Sequence, residues 1–259
     1  MIEIRFLHAF NDNFIWLLRA GGCVAVVDPG DAVPVLDYLE RSGDRLCAIL
    51  ATHHHGDHVG GVEEILARFP VPVFGPGLEN IPGVSHPLAG GERIEVPQIG
   101  LELKVISVPG HTRGHIAYYG PSLGADGAVF CGDTLFGAGC GRLFEGTPAQ
   151  MQESLARLAA LPASTLVYCA HEYTQSNLRF AMAVEPGSIA VQQRSEEVDE
   201  LRAAGCATIP TSIQAELETN PFLRWDEPVV RAAAASRLGH VPVDAVETFA
   251  AIREWKNRF

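Results

Sequence analysis

The sequence predicts a mixed α/β fold in which sheets pack together under helices, with an all-helical part after it. Three observations carry this reading. Short apolar or alternating runs joined by tight turns recur through the first two thirds, with helical stretches inserted between them. Four polar clusters each follow directly on an apolar run, and strand-like patterns almost vanish after Tyr173. The boundary therefore falls near Tyr173, giving domains 1–173 and 174–259.

Ile2–Leu7, Phe14–Leu18 and Val24–Asp28 read as consecutive strands, with Asn11-Asp12-Asn13 and Gly21-Gly22 as turns. Ala32 to Arg41 carries Val33, Leu36, Tyr38 and Leu39 at near-helical spacing after Asp28-Pro29-Gly30-Asp31. Leu46–Ala51 reads as a buried strand, followed by a histidine-rich loop and one helix running through Phe69. Prolines and glycines break Val71 to Pro97 into short pieces. Ile99–Val108, Ile116–Tyr119, Ala128–Cys131 and Thr165–Ala170 read as further strands, and Met151 to Leu161 as a helix. Beyond Tyr173, the segments Thr174–Val184, Ile189–Ala204, Ser212–Leu217, Pro228–Ala235 and Val243–Trp255 all read as helical.

Composition narrows the function classes. A hydrophobic content of 47% supports a sizeable core, and no apolar run is long enough to span a bilayer. The start, Met1 to His8, alternates like a first strand and does not resemble a signal peptide, so the cytosol is the expected location. A formal charge of −12 argues against nucleic acid or anionic membrane as partner, and it requires a local cationic patch for any anionic substrate. The six cysteines form no C-x-x-C pair and mostly sit in apolar runs, which favours buried, reduced thiols.

The chemistry concentrates at Thr52-His53-His54-His55-Gly56-Asp57-His58, then His111, Asp133 and His171, each after an apolar strand. Imidazoles and carboxylates crowded at strand ends are costly to desolvate unless a cation satisfies them. His53, His55, Asp57, His58, His111, Asp133 and His171 are more N/O ligands than one tetrahedral ion uses. Two ions sharing one carboxylate account for all seven; the donor set suits zinc, iron or manganese, and the pattern itself does not choose among them. His54 sits between ligands and reads as a non-ligand, and His8, His86 and His240 read as surface or turn residues. His115 reads either as support for the ligands or as a structural histidine. Asp28 reads either as a carboxylate behind the ligands or as a turn Asp. Cys140 reads as packing, since nothing in the pattern supplies it with a triad.

Thr52-His53-x-His55-x-Asp57-His58, with Pro109-Gly110-His111, Gly132-Asp133-Thr134 and His171, resembles the metallo-β-lactamase superfamily. Within it, the chain is most similar to the glyoxalase II (hydroxyacylglutathione hydrolase) family. Gly139-Cys140-Gly141-Arg142-Leu143-Phe144-Glu145-Gly146, Ala170-His171-Glu172-Tyr173-Thr174, Thr219-Asn220-Pro221-Phe222-Leu223-Arg224 and Arg253 to Phe259 carry that closer likeness. The resemblance implies a four-layer αββα sandwich followed by a C-terminal helical, substrate-binding domain. It implies two divalent ions, one on His53, His55 and His111, the other on Asp57, His58 and His171, with Asp133 bridging. Asp57 and Asp133 are then the catalytic carboxylates, since they hold the ions that carry a bridging hydroxide. Arg142, Tyr173, Asn177, Arg253 and Lys256 are implied to hold the glutathione moiety.

The implied reaction is hydrolysis of S-(2-hydroxyacyl)glutathione, such as S-D-lactoylglutathione, to glutathione and D-lactate, a step of methylglyoxal detoxification, by a monomer. A thioester suits such chemistry, because a thiol of reference pKa about 8.5 leaves as thiolate without much protonation. Water between two cations supplies hydroxide near neutrality. Two enzyme rivals are a persulfide dioxygenase with one iron on His53 and another hydrolase of the superfamily, such as a lactonase or β-lactamase. The terminal Arg253 and Lys256 weigh against both. A non-catalytic binding module is a further rival, and the full ligand set weighs against it.

Overall fold

The computed structural model describes all 259 residues. They cluster into two compact units: Met1–Ser107 with Thr112–Gly132, and Val108–His111 with Asp133–Phe259.

In the first unit, β1 (Glu3–Ala9), β2 (Asn13–Ala20) and β3 (Cys23–Val27) form an antiparallel meander. Helix α1 (Ala32–Ser42) then returns the chain to β4 (Arg45–Leu50), which lies parallel to β3. Asp31 caps α1 by accepting from the Val33 N–H, and Gly43 ends it in the left-handed region at φ 69°, where a side chain would be strained. After β4 come two short helices, α2 (Gly56–Val59) and α3 (Val62–Arg68). The single helix expected from the sequence is thus split: the Gly61 N–H donates to Pro29 O, outside the helix ladder. Asp57 and His58 also lie in α2, so the histidine segment is only partly a loop.

The proline-rich stretch contains strands that periodicity did not reveal. β5 (Val73–Pro76) and β6 (His86–Leu88) continue the first sheet in parallel, completing the order β1-β2-β3-β4-β5-β6. β7 (Arg93–Val96), β8 (Leu101–Ser107), β9 (Ile116–Gly120) and β10 (Ala128–Gly132) form an antiparallel run in a second sheet. β8 starts later than the pattern suggests, because Pro97–Ile99 is a 3₁₀ turn.

One face of the first sheet buries Ile15, Leu17, Val24, Val26 and Ile49 against Val35, Leu36 and Leu39 of α1 and Val62 and Ile65 of α3. Each such aliphatic burial stabilises by about 1.5–3 kcal/mol. The two sheets are tied by Tyr118 on β9, whose hydroxyl donates to Ala51 O at 2.8 Å and Phe74 O at 3.2 Å.

The second unit opens with the hairpin β11 (Leu135–Phe136) and β12 (Gly139–Cys140). Helix α4 (Pro148–Ala159) follows, closed at its start by a capping box between Thr147 and Gln150. β13 (Leu166–Cys169) pairs with the two-residue β14 (Thr211–Ser212), the one strand after Tyr173. The remainder is helical: α5 (Thr174–Val184), α6 (Ile189–Ala203), α7 (Ile213–Thr219), α8 (Pro228–Leu238) and α9 (Ala245–Arg258).

A buried polar hub organises this unit. Glu216 accepts from Arg194 at 2.6 Å, Thr211 at 2.9 Å, the Ala138 N–H at 2.8 Å and Asn220 at 2.8 Å. Asn220 also donates to Gly139 O, so α7 and the Asn220-Pro221 turn grip the β11–β12 hairpin.

Candidate metal centre and substrate-binding residues

Each polar cluster lies just past the end of its strand: His53–His58 after β4, His111 after β8, Asp133 after β10 and His171 after β13. A strand end fixes the backbone while releasing the next side chains from the ladder, which suits groups that must be held but reachable.

In the first unit, Asp28 sets the state of two histidines. It is buried at 3% exposure and held at φ 51°. One oxygen accepts the Thr52 N–H at 2.8 Å; the other accepts the Thr52 hydroxyl at 2.7 Å and lies 3.0 Å from His58 Nδ1. A carboxylate is acceptor-only, so His58 Nδ1 carries the proton and Nε2 a lone pair. Having donated to Asp28, the Thr52 hydroxyl accepts from His53 Nδ1 at 3.1 Å, which leaves His53 Nε2 as a lone pair as well.

His53 Nε2 lies 3.1 Å from His55 Nδ1, and His58 Nε2 lies 3.6 Å from Asp57 Oδ2. An imidazole lone pair facing a carboxylate oxygen is repulsive unless a proton or a cation lies between them. Asn13 donates to Asp57 Oδ2 at 3.0 Å, and the His115 ring stacks on His53 at 4.5 Å. His115 is fully buried beside His53, as either reading of it requires, whereas Asp28, with its bonds to Thr52 and His58, is more than a turn residue.

The second unit repeats this logic. His111 Nδ1 donates to Arg142 O at 2.8 Å, leaving Nε2 as a lone pair 3.4 Å from Asp133 Oδ2. His171 Nε2 lies 3.3 Å from the other oxygen, Oδ1, so one carboxylate faces two imidazoles. Gly141 allows this arrangement: a Cβ there would come within 1.9 Å of Asp133 O and 3.0 Å of His111 Nδ1. His53, His58, His111, Asp133 and His171 are buried, and His55 and Asp57 partly so. The chain therefore carries groups of His and Asp able to hold metal ions. Their tautomers, as the network assigns them, present nitrogen lone pairs, the form a metal requires.

The expected substrate-binding residues also lie in the second unit. Arg253 on α9 is buried, donates to Cys140 O at 2.9 Å and lies 5.0 Å from the Phe222 ring centre. Lys256 Nζ lies 3.4 Å from Ser176 O and 5.1 Å from the Phe180 ring. Its pKa is lowered to about 8, first by burial and then by the charges of Arg253, Arg179 and Arg142. These cations form a local positive patch in a chain of net charge −12.

Tyr173 stacks on His171 with ring centres 4.7 Å apart, and Asn177 donates to Gly137 O at 3.0 Å. Arg142 is exposed. Cys140 is buried and its thiol pushed up by that burial, which supports packing over a nucleophilic role.

Sequence reading missed Asn13 and Arg179. Asn13 lies in a stretch read only as a turn, and its link to Asp57 spans 44 residues. Arg179 lies three residues beyond Ser176, whose carbonyl meets Lys256, and nothing in the sequence places Lys256 beside that turn of α5. No helix is long and apolar enough to cross a membrane.

Comparison with known proteins agrees along the whole chain. Residues 10–171 match the metallo-β-lactamase superfamily model, and residues 172–259 match the model described as hydroxyacylglutathione hydrolase C-terminus. A protein of Dechloromonas aromatica named hydroxyacylglutathione hydrolase is 54% identical, with 100% of both chains covered. One of the same name from Pseudomonas aeruginosa strain PAO1 is 55% identical, again over 100% of both. Among solved structures, ETHE1 from Myxococcus xanthus has a TM-score of 0.67 at 25% identity, covering 98% of this chain and 91% of its own. TTHA1623, solved in a di-iron-bound form, has a TM-score of 0.59 at 27% identity, covering 85% and 100%. These matches, with the ligand-bearing strand ends, show the metallo-β-lactamase fold carrying a C-terminal helical domain, and the chain belongs to the hydroxyacylglutathione hydrolase family.

Proposed function

We propose that this chain hydrolyses S-(2-hydroxyacyl)glutathione, typified by S-D-lactoylglutathione, to glutathione and a 2-hydroxy acid such as D-lactate, as a step of methylglyoxal detoxification. The observation that carries the reading is the cation cluster of α5 and α9, Arg179, Arg253 and Lys256, in a chain of net charge −12. An anionic tripeptide is the cargo such a patch fits, and guanidinium grips carboxylate in a two-pronged fork. Relatives matching over their full length bear the name of this hydrolase.

We assign His53, His55 and His111 to one divalent ion and Asp57, His58 and His171 to a second, with Asp133 shared. Support comes from the donor sets and from the lone pairs directed by Asp28, Thr52 and the Arg142 carbonyl. Zinc suits this nitrogen-rich set best, with iron or manganese compatible. When bound, such ions lower the pKa of water and polarise the thioester carbonyl. The chain does the rest. Asp28 and Thr52 hold His53 and His58 in the ligating tautomer, and Asn13 steadies Asp57. Arg142, Arg253 and Lys256 draw in the glutathione carboxylates, while Tyr173 and Asn177 line the path beside His171. The thiol leaves as thiolate, so no side chain need donate a proton to it.

Residues 174–259 act as the substrate-binding domain, after a catalytic domain 1–173. We place the protein in the cytosol as a monomer; its six cysteines form no disulfide, which suits a reducing compartment.

The test is a comparison of substrates on purified, metal-loaded protein: S-D-lactoylglutathione, glutathione persulfide and a β-lactam. Thiol release from the thioester should dominate. Background thioester turnover with metal bound would overturn the assignment.

A further inference from the structure

Glu79 lies in the connection between β5 and β6, far in sequence from every expected ligand, yet its side chain is only 3% exposed. Four donors converge on it. Oε2 accepts the His54 N–H at 2.6 Å and lies 3.0 Å from His54 Nδ1. Oε1 accepts the Thr112 hydroxyl at 2.5 Å and the Gly114 N–H at 2.9 Å. His54 separates His53 from His55, and Thr112 is the residue directly after His111. One carboxylate therefore ties the histidine segment to the segment that leaves His111.

The fit is close enough to restrict its neighbour. A Cβ on Gly114 would come within 2.6 Å of Glu79 Cγ and 3.1 Å of Leu78 Cβ, so that position must be glycine for the carboxylate to enter. A buried carboxylate is expensive to desolvate, and the four converging donors offset that cost only while the His54 and Thr112–Gly114 segments stay together.

We propose that Glu79 is a positioning residue for the metal ligands, with His54, Thr112 and Gly114 as the groups through which it acts. Glu79 touches neither substrate nor ion. It holds the backbone between His53 and His55 in register with the backbone after His111, so that the ligands are set before an ion arrives. His54 thereby gains a role, as the arm by which the clamp reaches the histidine segment. Groups that orient ligands in this way typically change metal affinity or activity by about 10–100-fold when removed.

The inference rests on the metal reading above, and the test separates the two. Parent, E79A, E79Q and G114A are stripped of metal, and zinc affinity is measured by competition with a chromophoric chelator, beside circular dichroism and the Tm of each apoprotein. A parent that binds no zinc would defeat the metal reading itself. With a zinc-binding parent, E79A and G114A should retain the parent's circular dichroism and bind zinc about 10-fold or more weakly. E79Q, which keeps one acceptor oxygen, should fall between them and the parent. In zinc-saturated protein kcat should drop while the KM for the thioester stays within about twofold, since the cation patch is untouched. Zinc affinity within twofold of the parent in folded E79A or G114A would overturn the proposal. Should E79A fail to fold, G114A and E79Q still decide it.

Discussion

Replacing Asp28 with Asn exchanges one carboxylate oxygen for an amide and reverses a chain of protons. Asn tolerates the positive φ of this position, so backbone strain plays no part in the effect. If the amide oxygen keeps the Thr52 N–H, the NH2 group faces the Thr52 hydroxyl and His58 Nδ1, where Oδ2 had accepted both. His58 Nδ1 must then become an acceptor, which moves the imidazole proton to Nε2. The Thr52 hydroxyl, now accepting from the introduced amide, turns its own proton toward His53 Nδ1 and drives the same inversion there. The opposite amide orientation sets NH2 against the Thr52 N–H, donor to donor. Each orientation loses at least one hydrogen bond to a charged group, worth about 1.5–3 kcal/mol. That corresponds to roughly 10–100-fold in zinc affinity. Chelator competition measures the loss, and nitrogen NMR of the imidazoles reports the tautomers directly. D28N protein that binds zinc as the parent does, with Nδ1 of His58 still protonated, would refute the proton chain.

Removing both charges in R253A/K256A should raise the KM for the glutathione thioester by about 100-fold or more, at about 1.5–3 kcal/mol for each of the two lost charged contacts, and change kcat little. Steady-state kinetics with S-D-lactoylglutathione check this, and an unchanged KM would remove α9 from the substrate site. The pH dependence follows from the lowered pKa of Lys256, about 8. Below that value the ammonium is present to meet a carboxylate, and above it the charge is lost, so KM should rise as pH passes 8. The rise should be absent in K256M. In the helical part, E216A leaves the partly buried Arg194 without its carboxylate, and losing that charged contact costs about 1.5–3 kcal/mol. A clear fall in Tm should result, whereas a Tm within a degree or two of the parent would dismiss the hub.

The sequence made the strands that end at ligands legible, because β4, β10 and β13 are apolar runs, β8 alternates apolar with charged residues, and each is followed by a polar cluster. The strands β5, β6 and β7 were not legible. They are three or four residues long, interrupted by Pro76 and Pro87, and owe their existence to pairing with partners already in place. The split between α2 and α3 was hidden for a similar reason: Pro29 O, which takes the Gly61 N–H, is 32 positions away. The donor types at the candidate site could be read from the chain, since seven His and Asp residues at strand ends have few other uses. What orients them could not. Asp28, Asn13 and Glu79 act through contacts spanning 24 to 44 residues, and a lone Asp, Asn or Glu in a turn looks the same whether or not it has such a contact.

If the protein is a two-ion thioester hydrolase, its activity must follow metal stoichiometry. Apoprotein is titrated with zinc while thiol release from S-D-lactoylglutathione is followed. With two ions required, the rate climbs to a plateau at two ions per chain. A plateau at one ion, or no thiol release with two ions bound, would contradict it.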